Sequence, residues 1–310
     1  MSFQITEAQV KQFSANVIHL SQQMGSRLEN AVRRENQKGV AQAFERIGQV
    51  TAQVKVSRHS DTPLTDTPHS RRWVFLKDYE HADLLDKADE IKILIDPTSE
   101  YAKAFVWAFG RAKDDEIIDA SDGLAFSGEN GTTSVAHPNS QKLVSVSAGA
   151  GANLNVQALR RAKKKFGDAD VDESIKLYAA ISSSQVDSLL GQTEVTSADY
   201  NTVRALVMGE VDSFVGFQFI RTQRLNYQSG ALLFNTTTGS VGAGAGDANG
   251  YRKCIFWAED GLMLSTGMDV TTDIGPRRDK SMSMQVFCAM GVGSARLEEE
   301  KVVIVLANEA

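Results

Sequence analysis

The sequence predicts an α+β fold on three observations. Apolar residues recur at helical spacing in separate stretches, short runs of strand formers lie between them, and the chain beyond Cys254 reads mostly as strands. At 310 residues the chain allows two compact domains or one elaborated one, burying about three-quarters of its unfolded surface. Hydrophobic residues make up 42% and charged residues 23%, with 5 prolines, which excludes wholesale disorder, collagen-like repeats and a disulfide-stapled miniprotein. The 33 basic and 39 acidic side chains leave a net charge of -6, so the total points to no dedicated nucleic-acid binder. Cys254 and Cys288 sit in apolar runs and read as reduced thiols packed as small hydrophobes, in a reducing compartment. The N-terminus has no basic region followed by an apolar stretch, and no apolar run is long enough to span a membrane. Neither secretion nor membrane insertion is expected.

Thr6, Glu7, Ala8 and Gln9 have capping-box spacing, and Val10, Phe13, Val17, Leu20, Met24 and Leu28 then recur at three- and four-residue intervals. This predicts one long amphipathic helix ending near Gly39. Its apolar stripe is narrow, with Lys11, Arg27, Glu29, Arg33 and Arg34 largely off it, so a surface elsewhere must cover it. Next, Val50, Ala52, Val54 and Val56 alternate with polar residues, and residues 72–77 are rich in strand formers; these predict two arms of a long hairpin. Between them Asp61-Thr62-Pro63 recurs as Asp66-Thr67-Pro68. Each proline removes a ladder donor and holds the preceding threonine extended, so the tip is stiff and cannot pair as ordinary sheet. Arms of about ten residues at roughly 3.3 Å each project roughly 30 Å, and an isolated two-stranded hairpin is marginal in water. Such a limb needs a surface to rest on.

A strand at 91–95 leads through Asp96-Pro97-Thr98 into a second long helix, with Tyr101, Ala104, Phe105, Ala108, Phe109 and Ala112 on one face and an end near Ala120. Residues 121–151 are rich in Gly, Ser, Asn and Thr and read as loops enclosing a strand at 142–146. A helix at 156–166, a strand at 175–181 and a short helix at 184–190 alternate as in a compact lobe, a second domain starting near Asn153. Residues 213–220 read as one buried strand with a bulge or close approach at Gly216, and 239–250 as a flexible spacer. Strands follow at 254–257, 282–290 and 302–306, and no solenoid repeat is evident.

Catalytic constellations are missing. His19, His59, His69, His81 and His137 include no HExxH pair and read as surface or loop histidines. No GxSxG elbow exposes a serine, and no cysteine has an electropositive setting. The glycine-rich stretches at 149–153 and 239–250 lack the third glycine of GxGxxG and a following Lys-Ser or Lys-Thr respectively, so they read as surface loops rather than phosphate cradles. Asp114, Asp115, Glu116 and Asp119 could hold a metal or act as acid and base; without a companion ligand motif they read as a solvated or salt-bridged face. Arg160, Arg161, Lys163, Lys164 and Lys165 form the densest basic run, with no interleaved aromatics to stack bases. They read as a solvated face or a contact for an acidic protein rather than for nucleic acid. No catalytic, cofactor-binding or metal residue is assigned.

Three stretches carry a family likeness: RHSDTPLTDTPHSRRWVFLKDYEHADLLDKADEIKILIDPTSEYAKAFVWAFGRAKDDEIIDA (58–120), VRALVMGEVDSFVGFQFIRTQRL (203–225) and DIGPRRDKSMSMQVFCAMGVGSARLEEEKVVIV (273–305). Together with the order of amphipathic arm, hairpin, long helix, α/β lobe and closing strands, they make nearly the whole chain resemble the major capsid proteins of tailed double-stranded-DNA phages, of the Hong Kong 97 type. The resemblance implies an N-arm at 1–46, an extended loop at 47–82, a peripheral domain at 83–152 with a spine helix at 98–120, an axial domain at 153–265, and closing strands of the peripheral domain at 266–310. It implies a non-enzymatic coat protein of the virion, assembled in the host cytoplasm into hexamers and pentamers of an icosahedral head around double-stranded DNA. Further implied partners are a separate scaffolding protein, a portal, a decoration protein and DNA contacted non-specifically, with no cofactor and no membrane. Identical neighbours are the simplest cover for the limb and the arm. Arg58, Asp61, Asp66, Arg71, Arg72 and Trp73 are then the candidate intersubunit contacts. Some relatives weld a hairpin lysine to a distant asparagine, but residues 59–70 contain no lysine. Others carry an N-terminal scaffolding segment, whereas this sequence starts almost at the arm. The alternatives are an encapsulin-like compartment, which needs a cargo-peptide pocket, and a metal-dependent hydrolase using residues 114–119.

Overall fold

The structure, a computed structural model, describes residues 21–55, 57–58, 64–85, 98–147, 150–192, 213–228, 232–234, 240–241, 245–247, 250–280 and 282–309. The helix expected over 1–20, the centre of the hairpin tip with Asp61, and the strand expected at 91–95 lie outside these residues. In chain order the elements are β1 (Arg33–Asn36), β2 (Ala41–Ile47), β3 (His69–Phe75), β4 (Lys77–Leu85), α1 (Thr98–Asp122), β5 (Ala125–Ser127), β6 (Thr133–Val135), β7 (Lys142–Val144), β8 (Val146–Ser147) and β9 (Ala150–Gly151). They continue with α2 (Val156–Asp168), β10 (Leu177–Ile181), α3 (Ser183–Leu190), β11 (Ser213–Phe214), β12 (Phe217–Arg221), β13 (Tyr227–Gln228), β14 (Leu232–Phe234) and β15 (Ala245–Asp247). The closing strands are β16 (Tyr251–Ala258), β17 (Leu262–Arg277), β18 (Ser283–Arg296) and β19 (Val302–Asn308). Two compact units result, one of Met1–Ser26, Asp78–Arg111 and Met268–Gly291, the other of Arg27–Lys77, Ala112–Gly267 and Val292–Ala310.

The larger unit is built on a mixed sheet in the order β11-β12-β10-β16-β19-β7. β10 runs parallel to β12 and antiparallel to β16, and β19 runs antiparallel to β16 and parallel to β7. Both faces of this sheet are covered, which is why β19 reads as an unbroken apolar run. Leu159, Ala162 and Phe166 of α2 and Val186 and Leu189 of α3 pack with Phe217, Phe256, Val303 and Val305 on one face. Val144, Val146, Tyr251, Ile304 and Leu306 cluster together separately. Each such large side chain contributes about 1.5–3 kcal/mol by leaving water. Asn155 starts α2, its side chain accepting the Ala158 N–H at 2.7 Å.

Three expectations are corrected. Residues 21–39 are not a helix: a short 3-10 turn at Glu29–Ala31 leads into β1, which pairs in parallel with β17, Arg33 opposite Met263. Leu28, Ala31 and Val32 are buried together, and the Trp257 indole donates to the Ala31 carbonyl at 2.8 Å, so distant partners override the local helical spacing. The hairpin arms are likewise displaced. β2 occupies 41–47 and pairs with β3, Ala41 opposite Phe75 and Ile47 opposite His69, while residues 50–55 form no strand. The ladder ends where the Gly48 N–H meets the Pro68 carbonyl at 2.8 Å, because proline has no N–H to return. Finally, residues 213–221 are two strands. Val215 (φ 53) and Gly216 (φ 79) form a two-residue turn that sets Phe214 opposite Phe217. Two successive positive φ values match the twist of a hairpin; glycine adopts one freely and Val215 holds the other under strain.

In the smaller unit the 268–277 part of β17 lies beside the 283–291 part of β18, with β4 on the far edge. α1 begins at the expected Thr98 and ends at Asp122; Phe105 and Phe109 are buried in this unit, and His81 meets the Phe105 ring edge-on at 4.2 Å. The chain at Gly25 and Ser26 crosses α1 at Gly110, where an added Cβ would fall within 2.6 Å of its backbone. Only glycine permits that crossing. No helix among the described residues is long and apolar enough to cross a membrane.

Candidate intersubunit surface

β2 and β3 extend through β5 and β6 into one antiparallel sheet, Trp73 opposite Phe126. Alternation along β3 buries Arg72 and Val74 and leaves Arg71 exposed. Val74 joins Phe44, Met263, Ala295 and Leu297 in a small apolar cluster. The half-buried Trp73 donates from its indole to the Gly128 carbonyl at 2.7 Å, and Phe75 stands edge-on to Phe126 at 5.3 Å. This anchored base carries a loop with no ladder among its described residues: Val54 is 90% and Leu64 97% exposed, and Val50 is exposed as well, as is Ile47 at the end of β2.

The predicted contact residues separate into two groups. Arg58 and Asp66 are exposed on the loop, and Arg71 is exposed on β3 and bonded to Glu45 at 2.8 Å. Arg72 lies inside its own chain at 1% exposure, donating to the Glu299 carboxylate. Burial lowers the Arg72 pKa, Glu299 opposes that shift and Arg46 adds to it. Arg46 approaches Glu299 at 3.7 Å and donates to the Leu297 carbonyl. Sequence reasoning missed Arg46, Arg296 and Glu299; the only trace was that Arg72 alternates in phase with Val74.

Arg296, at 0% exposure, closes the end of α1. Its guanidinium donates to the carbonyls of Ser121 at 2.9 Å and Gly123 at 3.1 Å, and reaches Val135 of β6 at 3.3 Å. A cation on the last carbonyls satisfies unpaired acceptors and complements the negative end of the helix. Asp122, at the same helix end, bonds Lys142 at 2.6 Å and Lys253 at 2.5 Å. Burial raises its pKa, but those two cations more than offset it and hold the carboxyl below its ordinary value.

His137 lies in this cationic surrounding. Burial, reinforced by Arg296, lowers its pKa from 6.5 to about 3, with Asp122 pulling weakly the other way. Between these values the unfolded chain binds a proton that the folded chain refuses. The contribution is complete above pH 6.5 and is lost as pH falls toward 3, at up to about 1.4 kcal/mol per pH unit. We expect His137→Gln to flatten this part of the pH dependence. Urea unfolding of both proteins at pH 7, 5.5 and 4.5 checks it through the difference between them.

The acidic residues of α1 point to separate partners. Asp114, fully buried, accepts the backbone N–H groups of Arg27 and Leu28; Asp115 pairs with Arg224, Glu116 with Lys77 at 2.8 Å, and Asp119 accepts from the Asn226 side chain at 2.8 Å. Among the described residues no group of three or more His, Cys, Asp or Glu could hold a metal. Arg160 and Lys164 of α2 are exposed and make no ion pair among the described residues. Cys254 and Cys288 are buried and free, and burial pushes the Cys254 thiol up to about 12, far from a working nucleophile.

The hairpin base carries a loop of exposed apolar side chains, and the acidic residues of α1 are tied up in internal pairs, which is the build of a structural subunit rather than of a catalytic one. The chain belongs to the Phage capsid protein family, whose profile matches residues 5–309. It is a non-enzymatic structural protein of the phage capsid, part of the virion, and builds a multi-copy shell. Its fold is the Hong Kong 97 type expected from the sequence. The capsid of cyanophage P-SCSP1u is similar at 13% identity and a TM-score of 0.72, covering 99% of this chain and 95% of that one. The capsid of Ralstonia phage GP4 is similar at 11% identity and a TM-score of 0.73, covering 99% and 97%. The capsid of Helicobacter pylori bacteriophage KHP30 follows at 11% identity and a TM-score of 0.68, covering 99% and 98%. No curated protein sequence matches the chain. The comparisons favour neither the compartment nor the hydrolase alternative.

Proposed function

We propose that the subunits form hexamers and pentamers of a closed icosahedral head around double-stranded DNA, each laying its 48–68 loop across a neighbour. The exposed apolar side chains of that loop carry this reading. Burying one of them is worth about 1.5–3 kcal/mol, a gain the isolated subunit forgoes. Many such contacts acting together hold a shell that no single one could. Residues 1–46 act as the N-arm, 47–82 as the extended loop, 83–152 as the peripheral domain, 153–265 as the axial domain and 266–310 as the closing strands of the peripheral domain. Arg58, Asp61, Asp66, Arg71 and Trp73 contact neighbours, while Arg72 fixes the loop's base within its own chain. A scaffolding protein, a portal and a decoration protein complete the list of partners, DNA is touched non-specifically, and assembly takes place in the host cytoplasm. Sedimentation and electron microscopy of the purified chain test the proposal. Closed shells of uniform diameter are expected; monomers at high concentration, with scaffold supplied, overturn it.

A further inference from the structure

β17 has an open edge. β1 pairs with it only from Met263 to Thr266, and no other described strand lies on that side, so 268–274 is unpaired along the edge away from β18. Met268, Asp269, Thr271, Thr272, Asp273 and Ile274 are all exposed. Two residues show which backbone groups face outward. The Val270 N–H is met at 2.8 Å by the side chain of its own neighbour Asp269 rather than by a strand. Pro276 has no N–H to give, which a strand tolerates on the side away from its ladder. Both lie in the same phase of the alternation, so the N–H and C=O groups of Met268, Val270, Thr272 and Ile274 point to the open edge, and Pro276 ends it. Such an edge is a template for an extended segment from another chain.

Residues 50–56 carry a strand pattern, and 50–55 have no ladder among the described residues. The two stretches match in length and in pattern. Along the edge Met268, Val270 and Ile274 share one side, with Asp269, Thr271 and Asp273 on the other; along the segment Val50, Ala52 and Val54 share one side, with Thr51, Gln53 and Lys55 on the other. Laid centre to centre, with Gln53 opposite Thr271, the apolar sides coincide. Whichever way the segment runs, the exposed Lys55 then meets an acid, Asp269 or Asp273.

We infer that residues 50–56 of a second copy of the chain add to β17 as a further strand on its 268–274 edge. The inference rests on the proposed shell and names the surface that receives the loop. Backbone hydrogen bonds supply the attachment, and Asp269 gives up the Val270 N–H as the strand arrives. The matched sides fix the register, since a slip of one residue sets Lys55 among the apolar side chains.

Gln53→Cys and Thr271→Cys test it, at two exposed positions that the register places opposite each other. Particles coassembled from the two single variants and then oxidised are expected to give covalent dimers at least about tenfold more often than particles of either variant alone, because a disulfide forms only at close Cα spacing. Cys254 and Cys288 are buried and do not compete. The two new cysteines lie on different chains, so a loop folded onto its own body gives no link. Hydrogen exchange of the unaltered protein is the second arm: the amides of Thr272 and Ile274 exchange freely in the subunit and slow by at least about tenfold in the particle. If the cysteine variants do not assemble, this exchange decides. Particles without linked dimers overturn the assignment even where the edge becomes protected, since another occupant then covers it. An edge that exchanges equally in both states overturns it too. If the unaltered chain forms no shells, the proposed shell itself falls, which is a separate result.

Discussion

Arg296→Ala is expected to destabilise the subunit by about 3–5 kcal/mol, the range for removing one member of a buried, fully engaged charge network. Three losses combine. The last carbonyls of α1 lose their donor, the Val135 carbonyl of β6 loses its tie, and a space the size of a guanidinium opens in a site with 0% exposure. One gain opposes them, since Arg72 is relieved of a neighbouring cation. That relief is the smaller effect, because Arg296 lies on the helix end, where its charge is already compensated. Arg296→Lys keeps the charge but not the fork and is expected to recover less than half of the loss. Against a total stability of about 5–15 kcal/mol, the alanine variant folds marginally. Urea unfolding of the unassembled protein measures both midpoints, and a midpoint unchanged by Arg296→Ala contradicts this account of the helix end.

Replacing residues 49–67 by Asn-Gly is expected to leave the subunit folded and abolish assembly. The exchange preserves the Gly48–Pro68 closure and all seven residue pairs of β2 with β3, and Asn-Gly suits a two-residue hairpin turn. It removes Val50, Val54 and Leu64, which make little contact with the chain's own body, so thermal stability changes by less than about 1 kcal/mol. Association responds differently. At about 1.5–3 kcal/mol for each apolar side chain that a neighbour would cover, losing two of them weakens each contact by at least about a hundredfold. Sedimentation of the shortened and full-length chains side by side checks both halves. Shells from the shortened chain, or its unfolding, contradict the prediction.

Local chemistry was legible in the sequence and distant pairing was not. α1 could be read to within two residues because Asp96-Pro97-Thr98 opens it and its apolar face has helical spacing. α2, β10, α3 and β19 followed from periodicity or from unbroken apolar runs. Residues 21–39 misled because Met24 and Leu28 continue a helical rhythm, whereas β1 is dictated by backbone partners some 230 residues away on β17. The alternation at 50–56 is a strand pattern, yet residues 50–55 have no ladder among the described residues, so the sequence signal there outlasts the pairing. Arg72 read as a surface charge beside Arg71. Its burial depends on Glu299, at the other end of the sequence, and no local rule gives it that partner. Arg296 escaped notice because its acceptors are carbonyls, which carry no sequence signature.

Hydrogen exchange compared between the free subunit and the assembled particle probes the loop most directly. The account predicts that the amides of residues 49–55 and 64–67 exchange freely in the subunit and become protected in the particle, while β2 and β3 are protected in both. Equal protection of the loop in the two states would mean that its contacts come from its own chain, and would contradict the account.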